Sequence, residues 1–79
     1  MNEIEFSKHA RERMERYEIS EADVRRTIDE ADEVLDTYGG RRIYQKQMDK
    51  HVLRVIVEDY KGARRIITVY LAKARRYAL

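Results

Sequence analysis

Cysteine is absent from the 79 residues. The chain therefore has no disulfide framework and no thiolate zinc site, and nothing in it points to an oxidising compartment. Proline and tryptophan are absent too, and glycine occurs three times, at Gly39, Gly40 and Gly62. All three stand where turns are needed, which leaves no glycine-rich loop to cradle a phosphate. The two histidines, His9 and His51, lie far apart in sequence, and neither has a second imidazole or a paired carboxylate at ligand spacing. A structural zinc site is excluded on that ground, and no cofactor or metal is expected. No serine or threonine sits in a motif that marks a nucleophile. The opening MNEIEF is acidic and unlike a signal peptide, and no apolar run approaches the length of a membrane span. A soluble, cytoplasmic protein without membrane contact is the expectation.

What the chain has in excess is charge. Asp, Glu, Lys and Arg make up 41% of it, against about 25% in an average globular protein, an excess that can be spent on surface ion-pair networks. The net charge of +2 conceals an asymmetry. Met1 to Asp36 carries twelve acids and six Lys or Arg, whereas Thr37 to Leu79 carries three acids and eleven Lys or Arg. Either the halves complement each other within the fold, or the second half presents a basic surface to a polyanion. Twelve of the seventeen cations are arginine, the side chain suited to bidentate phosphate contacts. Arg41, Arg42, Lys46, Arg64, Arg65, Lys73 and Arg75 are the candidate RNA contacts.

A chain of this length is one domain with a small core. The densest β-branched stretch, HVLRVIVEDYKGARRIITVYL from His51 to Leu71, reads as a hairpin with its turn at Asp59-Tyr60-Lys61-Gly62. Ahead of it, Ser7 caps a helix over 8–17 with Ala10, Met14 and Tyr17 on one stripe, and His9, Arg13 and Arg16 form a cationic row beside it. Ser20 opens a second helix over 20–31, with acids in its first turn and Val24, Ile28 and Ala31 in period. Strands follow at about 34–38, 41–48, 51–59 and 64–72. Asn2 to Phe6 is either an edge strand or a lead-in, and which of Ile43 and Tyr44 faces the core is left open. The order predicts an α+β domain: two N-terminal helices on one face of a four-stranded antiparallel meander. Val55 and Val69 should then be buried against Ala10, Met14, Val24 and Ile28.

A helix-turn-helix reading fails on charge, because the second helix carries Glu21, Asp23, Asp29 and Glu30 against Arg25 and Arg26, and phosphate would repel it. What remains is a set of Arg, His, Tyr and Lys side chains, the groups a metal-independent ribonuclease uses to stabilise a phosphorane and move protons. Strand alternation turns Arg54 away from the helices, with Thr68 and Tyr70 on the same side if Ile67, Val69 and Leu71 face the helices. An arginine in an apolar strand is costly to hide, so it is expected at an exposed surface, or else in a cross-strand pair with Glu58 or Asp59. His9 can equally be a plain helix-surface residue, and Tyr70 half-buried sheet packing.

The ordered segments F-S-K-H-A-x-E-R-M-x-R, I-S-x-x-D-V, G-G-R-R-I-Y-Q-K, L-R-V-I-V-E and I-I-T-V-Y resemble the small prokaryotic domain-of-unknown-function family 4258. The resemblance runs from Phe6 to about Tyr70. It implies a loose grouping with the RelE/ParE-like toxin fold and, with it, an mRNA-cleaving toxin paired with an antitoxin protein. The family's recurring polar positions fall on His9, Arg13, Arg54 and Tyr70, which become the candidate catalytic set. A non-catalytic module of the same fold, binding a protein or a nucleic acid, is the alternative.

Overall fold

Serine caps and a few left-handed residues mark several of the element boundaries. A computed structural model of the chain, describing residues 3–73, contains strand β1 (Glu3–Phe6), helix α1 (Lys8–Tyr17), helix α2 (Glu21–Asp29) and strand β2 (Glu33–Asp36). A single 3-10 turn at Tyr38–Gly40 leads to strands β3 (Arg41–Met48), β4 (His51–Tyr60) and β5 (Ala63–Lys73). The Ser7 hydroxyl caps α1 by accepting from the Ala10 N–H at 3.0 Å, and the Ser20 hydroxyl caps α2 through the Asp23 N–H, also at 3.0 Å. Helix α1 ends where Glu18 enters the left-handed region at φ 55°, letting the Ile19 N–H donate back to the Met14 carbonyl at 2.8 Å. The β4–β5 hairpin closes on Lys61 (φ 49°) and Gly62 (φ 80°). Two successive positive φ values give the turn that matches strand twist, and Gly62 adopts its share without a Cβ penalty.

The sheet corrects the expected topology. It has five strands in the order β1-β5-β4-β3-β2 and is mixed rather than a four-stranded antiparallel meander. Residues 33–73 do form an antiparallel meander, but β1 adds to its far edge, parallel to β5, with Glu3 opposite Ala63 and Phe6 opposite Ile66. A strand of four residues with weak alternation finds its partner some sixty residues later, a pairing that local pattern does not display. The second helix is also shorter than expected, ending at Asp29 with Glu30 as its cap, and β2 begins at Glu33 and stops at Asp36. Of the tail, Ala72 and Lys73 extend β5, and residues 74–79, Arg75 among them, lie outside the described residues.

Both helices pack on one face of the sheet. The core joins Ala10, Met14, Ile19, Val24 and Ile28 from the helical segment to Tyr44, Leu53, Val55, Val57, Ile66 and Val69 from the strands, with Ile4, Phe6 and Leu71 partly buried against it. Tyr44, not Ile43, is the β3 residue that faces this core. The β4–β5 register explains why Ile66 joins it and Ile67 does not. Val55 pairs with Val69 and Ile56 with Thr68, but Val57 pairs with Ile66, so Ile67 is an extra residue in β5. This bulge reverses the alternation beyond it and corrects the expectation that Ile67 faces the helices. Ser7 fastens the spot, its N–H donating to the Ile66 carbonyl at 3.1 Å and its hydroxyl to the Ile67 carbonyl at 2.9 Å. One serine thus caps α1 and pins the bulge.

Candidate functional site

Period-2 alternation on β4 sends Leu53, Val55 and Val57 toward the helices and Val52, Arg54, Ile56, Glu58 and Tyr60 to the outer face. Register brings Gln45 of β3 and Tyr70 of β5 to either side of Arg54, forming a polar row across the three central strands. Arg54 Nη1 donates to the Tyr70 hydroxyl at 2.7 Å, and the guanidinium carbon lies 5.4 Å from the Tyr70 ring centroid. A charge-assisted bond of that length fixes the guanidinium plane relative to the phenol. The row is not an exposed surface patch. Arg54 is 9% exposed and Gln45 2%, so the expected exposure of Arg54 is corrected. Its guanidinium hydrogen-bonds a cross-strand phenol and not Glu58 or Asp59. Beside it, Gln45 Oε1 is buried and has no hydrogen-bond partner among the described residues.

His9 and Arg13 belong to α1 and therefore to the opposite side of the sheet. Arg13 Nε donates to His9 Nε2 and Arg13 Nη1 to the Tyr17 hydroxyl, both at 3.4 Å, along the i, i+4 ladder of one helix flank. The four candidate catalytic residues thus form two pairs on two layers, Arg54 with Tyr70 and His9 with Arg13.

The candidate RNA-binding cations are likewise divided between faces, and several are already matched by acids. On the outer face Arg41 lies 3.9 Å from Glu58 and Arg65 lies 4.0 Å from Glu5. On the helix side Arg42 lies 3.3 Å from Asp36, Lys46 3.9 Å from Glu30, and the Arg64 guanidinium sits 5.8 Å from the Tyr44 ring centroid. The side chain of Tyr44, followed by the carboxylates of Asp36 and Asp59, raises the Arg42 pKa further above its already high ordinary value. Lys73 is exposed at the end of β5 opposite His51. Three of these ion pairs, Arg42–Asp36, Lys46–Glu30 and Arg65–Glu5, join the acidic first half to the basic second half. The charge asymmetry is in this part an internal complementarity.

Two residues escaped the sequence reading. Gln45 needed the β3–β4 register before its side could be assigned. Tyr60 looked like a turn residue but continues β4, where its 42% exposed ring meets the Arg65 guanidinium at 4.4 Å. Among the described residues, no group of three or more His, Cys, Asp or Glu could hold a metal ion, and no helix is long and apolar enough to cross a membrane.

Two short helices against one face of a mixed sheet, with a buried Arg–Tyr pair on the other, define a small α+β protein with a polar site in the sheet itself. Residues 6–71 match the family described as a domain of unknown function, DUF4258, and the chain belongs to that family. No curated protein and no solved structure gives a significant match to it.

Proposed function

We propose that this chain is a small RelE/ParE-like protein that cleaves RNA without a metal ion, using the outer face of its sheet, and that a cognate antitoxin protein restrains it. The observation that carries this reading is the 2.7 Å bond between Arg54 and Tyr70 beside the buried amide of Gln45. In such a reaction the ribose 2′-hydroxyl loses its proton to a solvent water, its oxygen bonds to phosphorus, the P–O5′ bond breaks, and the 5′ oxygen takes up a proton from the Tyr70 phenol, which solvent then reprotonates. Arg54 supplies fixed positive charge where the phosphorane develops, and the Tyr70 phenol supplies a proton for the leaving oxygen. Two helices on one face of the sheet support the RelE/ParE-like grouping.

One observation favours a second reading. His9 lies in the helical layer and is hydrogen-bonded to Arg13, so the imidazole is not beside Arg54 to take the 2′-hydroxyl proton. A module of this fold that binds RNA or a protein without cleaving it needs no such base. The two are separated by incubating chelator-treated protein with structured and unstructured RNAs. Cleavage by wild type that His9→Ala spares and Tyr70→Phe slows supports the enzyme. Absence of cleavage of every RNA, with binding intact, leaves the binding module.

A further inference from the structure

The outer face holds a second aromatic–cation cluster. Beyond the bulge, Tyr60 and Glu58 of β4 and Arg65 of β5 lie on the same side of the sheet as Arg54, and Glu5 of β1 reaches that side from the edge. The Tyr60 ring is 42% exposed, with the Arg65 guanidinium 4.4 Å and the Lys61 ammonium 5.4 Å from its centroid. The charges near it are largely balanced: Glu5 is 4.0 Å from Arg65, and Glu58 is 3.9 Å from Arg41. A cluster built to grip phosphate would leave its arginines unmatched. This one offers a planar guanidinium lying on a phenol ring, a π surface suited to the flat face of an unpaired base.

We infer that Tyr60 and Arg65 form a stacking platform for one unpaired base of the RNA strand whose phosphate reaches Arg54. The inference rests on the reading of the outer face as an RNA-acting surface, and it adds the substrate class: single-stranded RNA, held at two points. Tyr60 lies six residue steps along β4 from Arg54, which at the rise of an extended strand is about 20 Å. A mononucleotide cannot span that distance. Affinity therefore rises with oligonucleotide length until base and phosphate are engaged together. Because stacking releases few counterions, the Tyr60 contribution persists at salt concentrations that weaken phosphate contacts. A plain structural role, in which the ring and Arg65 only brace the hairpin, predicts a change in stability and none in RNA affinity.

The test uses the full chain with oligoribonucleotides of increasing length carrying 2-aminopurine at one end, in the presence of chelator. Wild type and Tyr60→Phe should quench the fluorophore on binding. Tyr60→Leu, which keeps bulk but has no π face, and Arg65→Lys, which keeps charge but not the plane, should lose the quench. Each should bind roughly 5-fold to 100-fold more weakly, with thermal melts confirming that both are folded. If wild type binds and Arg54→Lys weakens it, but Tyr60→Leu leaves affinity and quench unchanged, the platform is refuted and the RNA reading stands; a protein-anchoring role for Tyr60 gives that same result. If wild type binds no oligoribonucleotide, the RNA reading fails and takes the platform with it.

Discussion

The two faces of the central hairpin come from the same residues read alternately, yet they are built to different rules. Toward the helices, Leu53, Val55, Val57, Ile66 and Val69 close on Ala10, Met14, Val24 and Ile28 without a polar atom from β4 among them. On the other side, Gln45, Arg54, Thr68 and Tyr70 interrupt Val52 and Ile56, with Tyr60 and Arg65 toward the turn. A polar row in the middle of a small sheet lowers the apolar area available to a domain whose stability margin is thin. The outer face is not simply exposed, since Val52, Gln45 and Arg54 are buried there, but its buried groups include an amide and a guanidinium where the helix face has aliphatic side chains. Substitutions on one face should therefore move stability and those on the other should move activity.

The largest expected effect is on rate. Arg54→Lys keeps a cation and most of the stem but loses the planar fork, and on the ribonuclease reading it should slow cleavage by about 100-fold to 1,000-fold, the usual cost of one preorganised electrostatic contact. Gel-resolved cleavage of RNA under chelation measures it, and a loss of less than about tenfold would remove Arg54 from the site. On the helix face, Val55→Ala deletes two buried methyl groups and should cost about 1 to 3 kcal/mol in a denaturant melt. A cost of a few tenths would mean that β4 is not central. Ser7→Ala removes the cap on α1 and the bond that pins the bulge, so about 0.5 to 2 kcal/mol is expected from the same melt. Its value should exceed that of Ser20→Ala, which removes a cap alone. Arg42→Gln, at an exposed pair with Asp36, should change stability by no more than about 0.5 kcal/mol. A larger loss would show that the ion pairs joining the two halves act as a network.

How legible these faces were in the sequence differs for physical reasons. The helix face was largely readable, because Val55, Val69, Ala10, Met14, Val24 and Ile28 announce themselves through two periodicities, 2 in the strands and 3.6 in the helices. The side taken by Arg54 and Tyr70 followed from the same alternation. Their contact did not, since it depends on the β4–β5 register, and the register is offset at Ile67 by a bulge that no residue type marks. β1 was ambiguous because its pairing is parallel and remote. The charge split between the halves was visible, but not that Glu30, Asp36 and Glu5 would meet Lys46, Arg42 and Arg65. Gln45 lay beyond reach, for a glutamine in a mixed strand carries no signal of burial until its cross-strand neighbour is known.

The division between the faces is tested most directly by determining, for wild type, Arg54→Lys and Val55→Ala in parallel, both the free energy of unfolding and the rate of RNA cleavage per folded molecule under chelation. The account predicts that Arg54→Lys loses about 100-fold or more in rate while unfolding within roughly 1 kcal/mol of wild type. It predicts that Val55→Ala loses about 1 to 3 kcal/mol while its folded fraction cleaves at the wild-type rate. An Arg54→Lys protein that cleaves RNA as fast as wild type, with its only defect in stability, would contradict it.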